Sequence, residues 1–263
     1  MPTALLNGID IYYERRGDGP PVLFLNGSGA TLASSGILLD VFAARCDVVA
    51  HDQRGLGRTE IPSGPYSMAD YAGDAIALLD HLGWDRCRVV GMSFGGMVAQ
   101  ELTATVPDRV ERLALLCTSP GGQMPSFPLH KLASLAEAER APKYVPLLDT
   151  RFTPEWLESH EHDRNLVAMM AGRTTGEKAP DAARGEREQL DARRRHDVLD
   201  RLGAITCPTL VAAGRYDGIA PLANSEAIVD RIPDAELRVY EGGHAFVVQD
   251  RRAFPEILDF LVA

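Results

Sequence analysis

Three side chains in this sequence could together attack a carbonyl carbon, and along the chain they come in the order Ser93, Asp217, His244. A serine hydroxyl is a weak nucleophile at neutral pH, so it needs a histidine base, and the base needs a carboxylate to hold its ring. Ser93 stands in Gly91-Met92-Ser93-Phe94-Gly95-Gly96, between the apolar run Arg88-Val89-Val90 and a helical pattern that starts near Phe94. That order reads as a strand, a sharp turn and a helix, with the hydroxyl pushed out at the apex. Gly91 and Gly95 lie two residues to either side, where a Cβ would collide as strand and helix converge.

His244 follows the strand pattern Leu237-Arg238-Val239-Tyr240, and Gly242-Gly243 before it lets the backbone turn the imidazole toward Ser93. The other histidines, His51, His81, His130, His160, His162 and His196, read as surface or packing residues. Asp217 closes Gly214-Arg215-Tyr216-Asp217 after another strand, whereas the corresponding stretch after the previous strand, Cys117-Thr118-Ser119-Pro120, holds no carboxylate. Acyl chemistry also needs donors for the oxyanion of the tetrahedral intermediate. The backbone N–H of Phe94, at a helix N-terminus, supplies one, and the N–H of Ser28 in Asn26-Gly27-Ser28-Gly29 is the expected second.

The elements that must position these residues alternate. Residues 3 to 16 predict two short strands around Asn7-Gly8, a hairpin dipeptide, and Val22-Leu23-Phe24-Leu25 and Asp47-Val48-Val49-Ala50 are continuous apolar runs suited to a sheet buried on both faces. A helix from about Thr31 to Arg45 separates those runs, and a second opens at Ser67, with Asp70 in its first turn, and stops at Gly83. Strands through Val90, over Arg112 to Thr118, and at Leu210 and Val239 continue the pattern, which predicts a mostly parallel, twisted sheet with helices on both faces. Between Ser119 and about Gly203 strand signals vanish and helical spacings such as Leu129, Leu132 and Leu135 take over. The expected organisation is a core of residues 1–118 and 204–263 with a helical cap inserted at 119–203.

Bulk properties narrow the classes. At 45% hydrophobic and 24% charged residues the composition is that of a globular protein, neither disordered nor membrane-embedded. A formal net charge of −10 argues against a nucleic-acid or other phosphate-binding surface. No apolar run is long enough for a span and the first residues lack a signal-peptide pattern, so a cytoplasmic location is expected. Cys46, Cys87, Cys117 and Cys207 lack metal-ligand spacing and read as buried thiols; no metal or cofactor is expected.

With nucleophile, acid, base and oxyanion loop each at a strand end, the chain resembles the α/β-hydrolase superfamily over nearly its full length. Within it, Asp52-Gln53-Arg54-Gly55-Leu56-Gly57-Arg58, Gly64-Pro65-Tyr66-Ser67 and the helix end at Leu78 to Gly83 resemble the 3-oxoadipate enol-lactonases. The resemblance implies an α/β-hydrolase fold with a helical cap and a cofactor-free cytoplasmic enzyme that opens esters or lactones through an acyl-enzyme. Carbon-carbon bond hydrolases share these motifs, and a ligand-binding protein on the same fold is the non-enzymatic alternative. Asn26 stands where the superfamily commonly carries histidine. A small-molecule substrate, no nucleic-acid or membrane partner, and a monomer or homodimer are expected. Phe246, Met124, Phe127 and Trp156 are the candidate substrate-contacting residues, with Phe94 beside the nucleophile. Arg184, Arg187, Arg193, Arg194 and Arg195 read as a solvated helix face balanced by Glu186, Glu188 and Asp191, with a substrate carboxylate as the other possible partner.

Overall fold

In the computed structural model, which describes residues 2–172 and 179–263, eight strands form one sheet in the order β1-β2-β4-β3-β5-β6-β7-β8. They are β1 (Thr3–Leu6), β2 (Ile9–Arg16), β3 (Pro21–Leu25), β4 (Asp47–His51), β5 (Cys87–Met92), β6 (Val110–Leu116), β7 (Thr209–Gly214) and β8 (Ala235–Tyr240). The pairs β1 with β2 and β2 with β4 are antiparallel, and every later pair is parallel. Asn7 and Gly8 both take positive φ, 51° and 78°, as the tight turn between β1 and β2 requires.

The central runs are continuously apolar because both faces of the sheet are covered. The two-residue period of a strand sorts them: Leu23, Leu25, Val49, Val89, Leu113 and Leu115 enter one core cluster, and Val22, Phe24, Val48, Ala50, Val90, Ala114 and Leu116 the other. The first face is covered by α2 (Met68–His81) and α3 (Phe94–Thr105), the second by α1 (Leu32–Ala43) and a C-terminal helix, α11 (Ala253–Val262). Helix α2 opens on the expected capping box, in which Ser67 Oγ accepts from the Asp70 N–H at 3.2 Å and Asp70 Oδ2 from the Ser67 N–H at 2.8 Å. It ends as Gly83 turns to φ 67°.

Between β6 and β7 the chain folds into α4 (His130–Ala133), α5 (Glu137–Leu148), α6 (Pro154–Ser159), α7 (Glu161–Gly172) and α8 (Pro180–Arg194). Part of this segment builds an apolar cluster of its own, Leu148, Phe152 and Leu166, closed by Ile219 from the loop after β7. Helices α9 (Leu222–Val229) and α10 (Phe246–Gln249) complete the fold. No helix of the described residues is long and apolar enough to cross a membrane.

The arginines of α8 are not a uniformly solvated face. Arg194 pairs with Asp191 at 3.4 Å, but Arg184 donates to the carbonyls of Pro62 and Ile61, and Arg195, just past the helix, to that of Tyr66. Two acidic or amide side chains of the helix do the converse: Glu188 accepts from the Tyr66 N–H at 3.2 Å and Gln189 from the Gly29 N–H at 2.8 Å. The helix is thus tied to two loops of the core, those after β3 and β4, by bonds to their backbone.

Candidate active site

Ser93 occupies the turn between β5 and α3 at φ 54° and ψ −113°, a conformation that costs an L-residue about 1–3 kcal/mol. Its surroundings enforce it. The Ser93 N–H donates to Leu116 O at 2.8 Å, and Ser93 O accepts from the Gly96 N–H and from the Thr118 hydroxyl at 2.7 Å. A Cβ on Gly95 would lie 2.0 Å from Leu25 O, and one on Gly91 2.4 Å from Gly95 O, so the turn closes only with glycine at both places.

Asp217 sits in the loop after β7 with its side chain fully buried. Its Oδ1 accepts from the N–H groups of Ile219 and Ala220, each at 2.8 Å, which fixes the carboxylate in place. Its Oδ2 lies 2.8 Å from His244 Nδ1. An ionised carboxylate only accepts, so Nδ1 carries the proton and leaves Nε2 with a lone pair. That nitrogen is 3.0 Å from Ser93 Oγ.

His244 is placed from a distance. The last carbonyls of a helix have no partner within it, and at the end of α5 the carbonyl of Leu148 accepts from the His244 N–H at 2.6 Å while that of Leu147 accepts from the Gly218 N–H at 3.0 Å. One helix terminus therefore clamps both the loop of the acid and the loop of the base. The approach is close enough that a Cβ on Gly243 would lie 1.9 Å from Leu148 O.

The loop after β3 runs beside the nucleophile, since a Cβ on Gly27 would be 3.6 Å from Ser93 Cβ. Gln53 secures that loop by donating to Asn26 O at 2.7 Å, and Gln189 by accepting from the Gly29 N–H. Ser28 lies between these anchors along the chain, and Phe94 is the first residue of α3. Asp52 shapes the neighbouring turn by accepting from the N–H groups of Leu32 at 2.6 Å and Arg58 at 2.8 Å, although burial pushes its carboxyl above the usual range.

The expected substrate-contacting residues fall into different places. Phe127, half-buried, donates its N–H to Ile219 O at 2.7 Å and so lies over the Asp217 loop. Met124 is half-buried nearby, its carbonyl bound by Asn224. Trp156 packs against the cluster that contains Ile219, stacked on His160 with centroids 3.8 Å apart. Phe246 is a core residue: it has no exposed surface and stacks on Tyr240 at 5.1 Å, because α10 turns it under the sheet face that holds Phe24 and Leu116. The side chain of Phe94 is likewise buried, edge-on to Tyr71 at 4.9 Å.

Thr118, Gln53, Gln189 and Leu148 were not foreseeable as contributors from motif reading. Of these only Gln53 carried a signal, through its place in the Asp52 to Arg58 loop. Among the described histidines only His244 lies within hydrogen-bonding distance of Ser93; burial holds the buried His51 neutral down to about 4.

A family model described as the alpha/beta hydrolase fold matches residues 20–250. The chain belongs to the α/β-hydrolase family. It is 33% identical to the "putative carbamate hydrolase RutD" of Variovorax paradoxus (strain S110) over 95% of this chain and 96% of that protein. It is 27% identical to 3-oxoadipate enol-lactonase 2 of Acinetobacter baylyi over 90% of this chain and 86% of that one. Among solved structures the enol-lactonase of Burkholderia xenovorans LB400 superposes with a TM-score of 0.83 at 24% identity, covering 100% of both chains, which is agreement in fold.

Proposed function

We propose that the protein is a serine hydrolase that cleaves a carboxylic ester or lactone through an acyl-enzyme on Ser93, with His244 as general base and Asp217 as the group that fixes and stabilises the imidazole. The relay from Asp217 to His244 to Ser93, with contacts of 2.8 and 3.0 Å, carries this reading. As Ser93 Oγ attacks the carbonyl carbon, its proton passes to His244 Nε2, and the negative charge grows on the former carbonyl oxygen. The N–H groups of Phe94 and Ser28 receive that oxygen, with the N-terminal end of α3 adding its dipole.

Collapse of the intermediate breaks the bond to the leaving oxygen, which takes the proton from His244. In a lactone this oxygen remains tethered to the acyl group, so the acyl-enzyme bears a hydroxyl at its far end. Water, deprotonated by His244, then attacks the ester to Ser93, and the acid departs as the Ser93 hydroxyl is restored. Four buried, unpaired thiols fit a reducing compartment, and this reading places the enzyme in the cytoplasm.

A second reading, cleavage of a carbamate, is favoured by the relative that bears that name at 33% identity. The same first steps serve it, since only the group released from the carbonyl differs. Steady-state rates on p-nitrophenyl acetate, a small enol-lactone, an aryl carbamate and a vinylogous diketone discriminate these readings. The proposal expects the ester and lactone to give the highest kcat/KM and Ser93→Ala to abolish both. Preference for the carbamate would move the assignment to the second reading, preference for the diketone to carbon-carbon cleavage, and no turnover of any would favour a binding protein.

A further inference from the structure

The turn that carries His244 has no side chains of its own to hold it, because Gly242 and Gly243 precede the imidazole and glycine leaves the backbone free. What fixes the turn comes from outside it. The His244 N–H donates to Leu148 O at 2.6 Å, and the adjacent Gly243 N–H donates to Gln249 Oε1 at 2.8 Å. Gln249, the last residue of α10, in turn donates from Nε2 to Asp149 Oδ2 at 3.0 Å. Two successive N–H groups of the turn are therefore held by two successive residues of the helical segment, one directly by Leu148 and one through the amide of Gln249.

The groups on either side fix the direction of that amide. A backbone N–H only donates, so Gly243 takes the amide oxygen; Asp149 Oδ2 already accepts from Arg151 NH2 at 2.6 Å, so it takes the amide nitrogen. A carboxylate in place of the amide would meet Asp149 as a like charge, and a hydrocarbon would leave the buried Gly243 N–H without its partner. Asp149 is itself immobile: it has no exposed surface, and its Oδ1 accepts from the N–H and the Nε of Arg151 at 3.0 and 2.9 Å. The Arg151 guanidinium lies 4.0 Å from the centre of the Tyr216 ring, and Tyr216, next to Asp217, donates its N–H to Gly242 O at 2.9 Å. One assembly thus reaches both the loop of the acid and the turn of the base.

We propose that Gln249 is a positioning residue for the reaction on Ser93, and that Asp149 acts through it. Its two bonds go to Gly243 and Asp149 rather than to Ser93, Asp217 or His244. The bond to Gly243 sets the direction in which the chain enters His244, and with it the 3.0 Å contact between Nε2 and Ser93 Oγ. The inference rests on the hydrolase reading above. A displacement of about 1 Å at such a contact costs on the order of 100-fold in rate. Because the bridge lies behind the imidazole, its loss falls on kcat and leaves KM nearly unchanged.

Exchanging the amide and the carboxylate between the two positions tests the bridge. On p-nitrophenyl acetate, Gln249→Leu is expected to lower kcat by about 10- to 100-fold with KM changed by less than about twofold, and Gln249→Glu to lower kcat at least as far. Adding Asp149→Asn to Gln249→Glu returns a carboxylate that accepts from Gly243 and an amide that donates to it, and is expected to recover kcat to within a few-fold of wild type. A second readout needs no turnover: the proton on His244 Nδ1, in its bond to Asp217, gives a downfield proton resonance that His244→Ala removes. That signal is expected to shift or broaden in both single variants and to return in the paired one, with the fold of each checked by circular dichroism. A wild type that cleaves no ester would defeat the hydrolase reading while the resonance still reports on the bridge. Wild-type kcat and resonance in Gln249→Leu, a loss carried by KM, or a folded paired variant no better than Gln249→Glu would overturn the proposal; if the paired change unfolds the chain, Gln249→Leu alone decides.

Discussion

The strand-end loops and the helical segment between β6 and β7 meet around the same serine, yet they are held by different means. In the core, Ser93 is fixed by contacts within a few residues or across one strand pair: glycines with no room for a Cβ, the Leu116 carbonyl, the Thr118 hydroxyl. The helical segment is fixed by bonds between elements far apart in sequence, chiefly side chains of α8 on backbone groups of the core and two carbonyls of α5 on the loops of Asp217 and His244. Local sterics carry the first arrangement and long-range backbone polarity the second. Under the proposed function, the chemistry therefore belongs to the core and its alignment to the helical segment between β6 and β7.

This contrast can be attacked at several points. The largest effect is expected from Asp217→Asn, which leaves the loop geometry but presents an amide to Nδ1 and favours the wrong tautomer. Its kcat on p-nitrophenyl acetate should fall by about 10⁴ with little change in KM. A fall below tenfold would mean that the segment's clamp on His244, rather than the carboxylate, sets the ring.

Gly95→Ala comes next. The new Cβ would lie 2.0 Å from the carbonyl of Leu25, and backbone cannot step aside cheaply, so a loss of about 3 kcal/mol in unfolding free energy is expected from urea titration. Retained stability would show that the core is less rigid than the comparison holds.

A pH series compares the two regions within one molecule. His51, at the end of β4, is held neutral by burial down to about 4, and His196, just past α8, down to about 3, against an ordinary value of 6.5. Their folded pKa values are depressed, so below 6.5 the unfolded chain binds protons that the native chain refuses. Stability intact above that pH should fall as the pH drops from 6.5 toward 4, on the order of 1.4 kcal/mol per pH unit for each imidazole. His51→Asn and His196→Asn should each flatten the slope by about one proton. An effect of His196→Asn confined to an earlier, separate transition would show that the segment unfolds by itself.

The smallest effect is assigned to Arg184→Ala. It removes bonds to the carbonyls of Pro62 and Ile61 and should cost about 1 kcal/mol, raise KM by a few-fold and leave kcat unchanged.

How much of this was legible in the sequence follows the same division. The strand order of apolar runs, the Ser67 cap, the Asn7-Gly8 turn and the positions of Ser93, Asp217 and His244 all rest on local chemistry: a period, a cap, a glycine where a Cβ cannot fit. The docking of α5 and α8 was not legible, because a carbonyl acceptor is common to every residue and leaves no trace in residue type. For that reason the α8 arginines read as a solvated face, although Arg184, Arg193 and Arg195 each hold a carbonyl. Phe246 shows the limit from another side. Its nearness to His244 along the chain suggested the pocket, but one turn of α10 directs it into the core beneath Tyr240. Side-chain direction at the end of a loop depends on backbone angles that spacing does not specify.

The most direct test of the account is covalent. A fluorophosphonate should phosphonylate Ser93 and shift the mass of the tryptic peptide spanning residues 89–109, with no shift in Ser93→Ala and much slower labelling in His244→Ala. An unlabelled peptide in the wild type, or equal labelling of the Ser93→Ala protein, would contradict the assignment of Ser93 as the nucleophile.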